Sequence, residues 1–250
     1  MIFGAWIAES AAEDKKPEDK QPKLLVAAPL GIVPGASTKL TLRGLRIDET
    51  SEIQATIGDK KIEAKLLSKQ KSNLGQNLDP KIGGDGHVEI EVTLPADATG
   101  AIKFVAVTSA GASQPYELPI IEPGDLQTEK EPNDGFDSPG KIQSQPIKSG
   151  KTMLGCIERG QDVDVYSLDS PTGQKLTLEV TARRLGSPLD ASLALFDSRG
   201  NTLAASDDLG DSVDGRIEYT SPGGTLYIAV SDANDQGSPA HGYRLAIRQP

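Results

Sequence analysis

The segment Leu176-Thr177-Leu178-Glu179-Val180 places an aliphatic residue at every second position, and Leu226-Tyr227-Ile228-Ala229-Val230 repeats the pattern. Side chains of a β-strand point alternately to its two faces, so a period of two predicts a strand with one face buried. Tyr243, Leu245 and Ile247 continue the alternation. The second half of the chain is therefore predicted to be built from strands.

The first half shows the same period from Lys23 onward and almost no helical i, i+3, i+4 spacing. The alternating groups are Leu40 and Leu42; Ile53, Ala55 and Ile57; Ile62, Ala64 and Leu66; Val88, Ile90, Val92 and Leu94; and Ile102, Phe104 and Ala106. A turn is predicted at Gly58-Asp59 and one long polar loop from Ser68 to Asp85. Strands about ten residues apart indicate small antiparallel sandwiches.

Pro119, Pro123 and Gly124 interrupt the strand pattern and predict a domain boundary near residues 121–127. We therefore predict an all-β chain of two tandem β-sandwiches, at residues 23–122 and 123–250. Residues 1–22 begin with a short apolar run, Met1 to Ala8, and continue as a charged spacer. The run has the length of a signal-peptide core but lacks a basic start, so a truncated signal peptide and an unrelated apolar tail both stay open. Eight apolar residues cannot span a bilayer.

The charge balance excludes one class of partner. The formal net charge of the chain is -10. Residues 125–250 carry 19 acidic and 12 basic side chains, which leaves no surplus of cations for phosphate groups. Nucleic acid is therefore not expected as a partner. Cys156 is the only cysteine, so the fold has no internal disulfide.

Residues 129–134, Glu-Lys-Glu-Pro-Asn-Asp, hold three carboxylates and an amide in six positions and are called the acidic segment below. Pro132 disfavours helix, and in an extended chain Glu129, Glu131 and Asn133 would share one face. Oxygen donors without histidine or cysteine favour Ca²⁺ over Zn²⁺. A solvated linker of similar composition is the alternative.

Catalytic motifs are not found in the sequence. It has no G-x-S-x-G, H-E-x-x-H, C-x-x-C or Walker pattern, and only two histidines, His87 and His241, which we expect in exposed loops. We expect a protein that is not an enzyme. A second acidic group, Asp207, Asp208, Asp211 and Asp214, does not fit an EF-hand; a hydrated turn is favoured there over a metal site.

The order of several motifs resembles the bacterial pre-peptidase C-terminal (PPC) domain, a jelly-roll sandwich similar to the collagen-binding domains of clostridial collagenases. The motifs are the acidic segment, Gly160 to Leu168, Leu189 to Asp197, Gly200 to Ala204, Asp207-Asp208 and Tyr243-Arg244-Leu245. A fainter resemblance, from Pro29-Leu30-Gly31 and Pro34-Gly35 ahead of Lys39 to Leu45, links the first domain to Ig-like TIG/IPT modules.

The PPC resemblance implies a calcium site. Its ligands would be Glu129, Glu131, Asn133, Asp134, Asp162 and Asp164. Asp164 shares strand parity with Tyr166 and Leu168, which should face the core, so we expect a bulge that turns Asp164 outward. Tyr166, Tyr219 and Tyr243 are predicted core residues, and Tyr227 is the one clear candidate for an exposed tyrosine, which leaves collagen binding without support.

Together these observations predict a secreted, cell-surface or periplasmic bacterial protein without catalytic activity. Its expected role is a calcium-binding module for adhesion to an extracellular polymer or surface protein. The alternative is an accessory domain protein of a secreted protease or other hydrolase system.

Overall fold

The computed structural model describes residues 20–72, 78–138, 141–208 and 214–249. The predicted signal-like run lies outside the described residues. The all-β prediction is confirmed: within the described part, regular helix is limited to one four-residue α-helix at Pro80–Gly83 and two short 3-10 turns, at Pro123–Asp125 and Arg183–Leu185. No described helix is long and apolar enough to cross a membrane.

Nine strands and one short helix precede residue 120. They are β1 (Lys23–Ala28), β2 (Ser37–Leu45), β3 (Glu52–Ile57), β4 (Lys60–Ile62), β5 (Ala64–Lys71), α1 (Pro80–Gly83), β6 (Gly86–Thr93), β7 (Ala101–Thr108), β8 (Gly111–Ala112) and β9 (Tyr116–Pro119). One sheet has the order β1-β2-β6-β5 and the other β4-β3-β7-β8, with β9 also on β7. Inward residues of both sheets, such as Leu42, Ile90 and Phe104, form one core.

The predicted strands of this half are confirmed, and so is the Gly58-Asp59 turn, which joins β3 to β4. The long loop from Ser68 to Asp85 was predicted too long. β5 continues to Lys71 and pairs with β6, and α1 lies within the remainder. Polar residues can extend β5 because it is an edge strand, whose pairing depends on backbone groups and whose side chains are largely exposed.

Twelve strands follow. They are β10 (Leu126–Thr128), β11 (Gly135–Ser138), β12 (Lys141–Gln143), β13 (Gln145–Pro146), β14 (Thr152–Cys156), β15 (Val163–Ser170), β16 (Lys175–Thr181), β17 (Ala191–Phe196), β18 (Thr202–Ser206), β19 (Arg216–Thr220), β20 (Gly224–Asp232) and β21 (Gly242–Arg248). The two five-stranded sheets have the orders β10-β14-β21-β16-β19 and β13-β15-β20-β17-β18, and β11 pairs with β12.

Residues from both five-stranded sheets share a second core, as expected of a sandwich. Leu178, Leu245 and Ile247 come from the first of these sheets, and Leu193 and Ile228 from the second. Tyr166 and Tyr243 are fully buried, and Tyr219 is partly buried against the core, which confirms the inward orientation predicted for all three.

The two halves touch through a small apolar contact. Val26 and Leu30 from the first half cluster with Ala240 and the partly buried Leu185 from the second. The Tyr116 hydroxyl accepts a hydrogen bond from the Ala27 amide (3.1 Å) and donates one to the Leu185 carbonyl oxygen (2.8 Å). A buried polar bridge therefore supplements the apolar contact.

Candidate metal centre

The acidic segment crosses one end of the second sandwich. It begins beside β14, where the Glu129 amide donates to the Leu154 carbonyl oxygen (3.0 Å). Four residues later the Asn133 carbonyl oxygen accepts from the Val165 amide of β15 (2.9 Å). Because β14 and β15 belong to opposite sheets, the segment connects the two layers and brings its side chains to the end of the core.

Three carboxylates meet at this end. Glu129, Glu131 and Asp164 each offer an oxygen, and these oxygens all lie within 4.8 Å of one another. Glu129 is fixed by the Cys156 amide, which donates to its Oε2 atom (2.7 Å). Like charges at this separation repel strongly away from bulk water. The cluster therefore suits a cation.

Asn133 and Asp162 complete the group, and both are almost fully buried. The Asn133 side chain donates through Nδ2 to Glu129 Oε1, and its backbone amide donates to Glu131 Oε2, both at 3.0 Å. Asp162 Oδ2 accepts from the Glu158 amide (2.7 Å). One polar side-chain atom of each residue, Nδ2 of Asn133 and Oδ2 of Asp162, is thus held by a hydrogen bond within the protein. The other atom, Oδ1, is left for another partner.

Those remaining oxygens are the most informative feature of the site. Asn133 Oδ1, Asp162 Oδ1 and Asp164 Oδ1 are buried, and none accepts a hydrogen bond within the described part of the chain. An unpaired buried acceptor costs about 1–3 kcal/mol. Three in one cluster, next to Glu129 and Glu131, form the oxygen-rich donor set that Ca²⁺ uses. The residues present therefore fit calcium.

Two core tyrosines donate hydrogen bonds to the carboxylates from the core side of the site. The Tyr243 hydroxyl donates to Asp164 Oδ2 (2.6 Å), and the Tyr166 hydroxyl donates to Glu129 Oε1 (3.1 Å). The two hydroxyl oxygens are 2.5 Å apart. Sequence reasoning treated both residues only as core. The sequence did indicate that Tyr166 lies near the site, because Asp164 and Tyr166 share strand parity and so point to the same face of β15.

The surroundings of the site disfavour the ionised forms of its carboxyl groups. Burial raises the pKa of Asp164 to about 10, and a hydrogen bond with Glu129 and the charges of Glu129 and Asp162 act in the same direction. Burial also raises the pKa of Glu131, to which the charges of Glu129, Asp162 and Asp134 contribute. A bound cation would remove this penalty on the ionised forms.

The bulge expected at Asp164 was wrong. β15 pairs with β20 in unbroken register from Val163 opposite Ser231 to Ser170 opposite Gly224. Asp164 faces inward and is 0% exposed. No outward turn is needed, because the carboxylate lies at the end of the core, where the Tyr243 hydroxyl and the acidic segment reach it.

Asp134 lies beside the other predicted ligands but forms an ion pair with an arginine. Its Oδ1 atom accepts from Arg159 Nη2 at 2.8 Å, and the same guanidinium lies 3.5 Å from Asp162 Oδ1. The Arg159 side chain is 63% exposed. The structure thus brings five of the six predicted ligands together and pairs the sixth with a cation of the protein.

Cys156 lies beside the site but does not resemble a metal ligand. Burial raises the pKa of its thiol to about 12, with smaller contributions from Glu129 and Glu158. The thiol donates to the Ser238 carbonyl oxygen (3.4 Å). A neutral thiol is a poor metal ligand, so the site remains one of oxygen donors.

The second acidic group has a different arrangement. Asp214 is buried and accepts from the backbone amides of Ala182 and Arg183 and from the Arg184 side chain. It anchors the 3-10 turn at Arg183–Leu185. Asp207 and Asp208 are exposed, and Asp211 lies outside the described residues.

The histidines do not form an open catalytic site. His241 is 1% exposed, which corrects the prediction of an exposed loop residue, and its Nδ1 atom lies 2.8 Å from Ser238 Oγ. Ser238 is itself buried and also accepts from the Ala240 amide (3.1 Å). His87 is half-buried and lies on β6 of the first sandwich, 154 positions earlier in the chain.

Comparison with known proteins gives a family match for part of the second half. Residues 162–232 match the family model of the bacterial pre-peptidase C-terminal domain. The match includes Asp162 and Asp164 and begins after the acidic segment. No curated protein matches the chain.

Three solved structures illustrate the similarities. The pre-peptidase C-terminal domain of collagenase from Bacillus anthracis is 16% identical, with 44% of this chain and 98% of that one covered and a TM-score of 0.35. The periplasmic inhibitor of g-type lysozyme from Aeromonas hydrophila is 18% identical, with coverage of 42% and 95% and a TM-score of 0.31. The secreted serine protease VesC from Vibrio cholerae is 9% identical, with coverage of 92% and 51% and a TM-score of 0.31.

Proposed function

We propose that the second domain, a bacterial pre-peptidase C-terminal domain across its matched residues 162–232, binds Ca²⁺ at the end of its sandwich. Glu129, Glu131, Asn133, Asp162 and Asp164 would hold the ion. The observation that carries the proposal is the set of buried oxygens on Asn133, Asp162 and Asp164 that accept no hydrogen bond within the described residues. Bound calcium would neutralise the carboxylates and tie the acidic segment to the two sheets.

The chain's own residues prepare the site. Cys156 fixes Glu129 through its amide, and Tyr243 fixes Asp164 through its hydroxyl. Asn133 bridges Glu129 and Glu131 by its side chain and its backbone. These contacts hold the donors in place before binding, which reduces the ordering cost. Asp134 was predicted as a ligand too; its Oδ1 atom is occupied by Arg159, which leaves Oδ2 for the ion.

The module's role would be non-catalytic. We propose a secreted, cell-surface or periplasmic protein that binds an extracellular polymer or a surface protein, with calcium as a stabiliser of the junction between its halves. Extracellular calcium modules work with dissociation constants of about 10⁻⁴–10⁻³ M, so a modest affinity suffices.

A second candidate follows from the family. Domains of the matched family are described by their association with peptidases, so the chain could act as an accessory part of a secreted protease or other hydrolase system. Capture of secreted proteins and matrix polymers on the immobilised chain, with and without calcium, separates the two. Retention of polymer favours adhesion, whereas one recurrent hydrolase favours the accessory role.

The calcium proposal is tested by calorimetric titration of Ca²⁺ into EDTA-treated protein, together with thermal unfolding. We expect saturable binding and a higher melting temperature, with about 2.7 kcal/mol of added stability at a hundredfold excess over the dissociation constant. A Glu131→Gln, Asp162→Asn variant should lose both effects, because amides keep the size but remove the charge.

Asp169→Asn is the matched control. Asp169 is an exposed acid of β15 whose carboxylate accepts from Thr225 (2.7 Å), away from the cluster. This variant should bind calcium like the wild type. Absence of heat and of a melting shift at millimolar calcium in the wild type would refute the metal site.

A further inference from the structure

The outer face of the sheet β10-β14-β21-β16-β19 carries an unusual row of cations. Outward residues lie opposite one another in register: Leu154, Arg244 and Thr181; then Thr152, Ala246, Glu179 and Arg216; then Arg248, Thr177 and Glu218. We call this set the arginine face. Three arginines against two glutamates give it a net charge of +1, in a chain whose net charge is -10.

Most of the charges on this face are already paired. Glu179 accepts from Arg184 (2.8 Å) and lies 3.3 Å from Arg248, and Arg216 pairs with Glu218. Arg184 also pairs with the buried Asp214 (2.8 Å). Arg248 remains 67% exposed at its side chain and can accept a second anion. After these ion pairs are formed, one arginine of the arginine face has no carboxylate partner among the described residues.

That cation is Arg244. Its side chain is half-buried, and no described residue accepts a hydrogen bond from its guanidinium or forms an ion pair with it. Burial lowers the pKa of Arg244, and the neighbouring charge of Arg248 lowers it further, against a smaller opposite effect of Glu179. A guanidinium presents five donors in a planar fork, and those of Arg244 have no acceptor among the described residues, so they are free to bind an anion.

Arg244 also lies beside the contact between the two halves of the chain. Leu154, directly opposite Arg244, points to the outer face yet is only 5% exposed. A side-chain carbon placed at Gly31 would lie 3.6 Å from Leu154, and one placed at Gly242 would lie 3.4 Å from Leu30. The first half therefore covers the face next to Arg244, and ligand sites favour such junctions.

The chemistry of the face selects the kind of partner. Its apolar members among the described residues are Leu154, which is covered, and the small Ala246. The anchors of protein interfaces lie in well-packed, desolvated surroundings, which the described residues of this face do not offer around Arg244 and Arg248. The Cα atoms of Arg244 and Arg248 are four residues apart on one strand, about 13 Å, so an extended ligand can engage each guanidinium with a separate group. A ligand with repeated carboxylates fits this spacing.

We propose that Arg244 and Arg248 bind successive carboxylate groups of an acidic polysaccharide laid along β21. Thr152 and Thr177, on the neighbouring strands, provide hydroxyls for the sugar. Guanidinium and carboxylate groups are both planar and form two parallel hydrogen bonds. An arginine therefore selects carboxylates more sharply than a point charge such as an ammonium group does. This inference rests on the proposed role as a binding module and names its surface and its ligand class.

The test uses hyaluronate, a polysaccharide with one carboxylate in every disaccharide, and neutral dextran in affinity electrophoresis at low salt with calcium present. The full chain should be retarded by hyaluronate and not by dextran. An Arg244→Gln, Arg248→Gln variant should bind at least tenfold more weakly. A Lys148→Gln, Arg199→Gln variant removes the same charge from exposed sites off the face and should change binding less than twofold.

Thermal unfolding with and without calcium accompanies every sample. An unchanged calcium shift in both variants shows that fold and metal site are intact. Equal loss of binding in the two variants, equal retardation by dextran, or equal competition by a DNA oligonucleotide would overturn the inference, since net charge alone would then explain binding. No retardation of a wild type that keeps its calcium shift overturns the polysaccharide site only, whereas loss of the shift refutes the proposed function.

Discussion

At the scale of single residues, Arg159 places a positive charge beside the acids of the metal centre. Glu129, Glu131, Asn133, Asp162 and Asp164 lie together there, as the motif pattern predicted. Asp134 is instead paired with Arg159. Arg159 lies 25 positions further along the chain, so only the folded loop shows which acid it neutralises.

Arg159 should lower the affinity of the site for calcium. Its guanidinium lies 3.5 Å from Asp162 Oδ1 and would repel a cation held there. The side chain is 63% exposed, so screening limits the effect to about 0.2–1 kcal/mol. We expect Arg159→Gln to bind calcium about 2–5-fold more tightly by calorimetric titration, with the gain shrinking at high salt.

Arg199→Gln is the control, because it removes the same charge from the hairpin after β17. It should leave the calcium affinity unchanged. Weaker binding in Arg159→Gln would mean that Arg159 positions Asp134 for the ion rather than competing with it.

At the scale of elements, period-two alternation was sufficient to place the strands, because burial of one sheet face forces it. The exceptions are strands that have no such requirement. β5 runs three residues beyond Ser68 on polar side chains, since it pairs at an edge. Asp164 needs no bulge, since the hydroxyl of Tyr243 on β21, a strand of the facing sheet, supplies a polar contact inside the sandwich. Alternation reveals which way a side chain points, but not which polar partner meets it.

β14 and β21 form the wall behind the metal site and depend on Gly155. This glycine lies opposite Tyr243, and a Cβ atom there would overlap the tyrosine ring. Gly155→Ala should displace the ring and withdraw the hydroxyl from Asp164. We expect a loss of about 1–3 kcal/mol in the free energy of unfolding, measured by urea titration, and weaker calcium binding.

Gly124→Ala serves for comparison, because nothing lies within 4 Å of a Cβ atom at that position. Its unfolding free energy should stay within about 0.5 kcal/mol of the wild type. If Gly155→Ala were equally silent, Tyr243 would have room to move and could not be a fixed support of the site.

At the scale of the whole molecule, the sequence indicated where the strand pattern breaks but not how the halves meet. Val26, Leu30 and Ala240 are ordinary apolar residues in sequence, and their clustering needs the folded chain. The same is true of Gly186, where any side chain would collide with the Leu25 carbonyl oxygen across the contact. The arginine face borders this contact, so its shape depends on how firmly the halves are joined.

Tyr116 makes that join sensitive to alkaline pH. Burial raises the pKa of its phenol to about 12, from an ordinary value of about 10. Between these values the unfolded chain has lost the proton and the folded chain keeps it, so the unfolding free energy falls as pH rises. Stability from this group is complete below pH 10 and is lost as the pH rises through about 12, with a total loss of about 2–3 kcal/mol.

Tyr116→Phe should remove this part of the pH dependence, which urea unfolding between pH 8 and pH 12 can measure. At pH 8 the variant should also lose about 1–3 kcal/mol, since the Ala27 amide and the Leu185 carbonyl oxygen are left without the hydroxyl. Tyr166 and Tyr243 titrate in both proteins, so the difference between the two profiles isolates Tyr116. Tyr219→Phe, at a partly buried tyrosine of β19, should keep the wild-type profile. Parallel profiles for Tyr116→Phe and the wild type would show that the phenol is ionised as easily in the folded chain as in the unfolded one, and the two halves would then be joined by apolar contact alone.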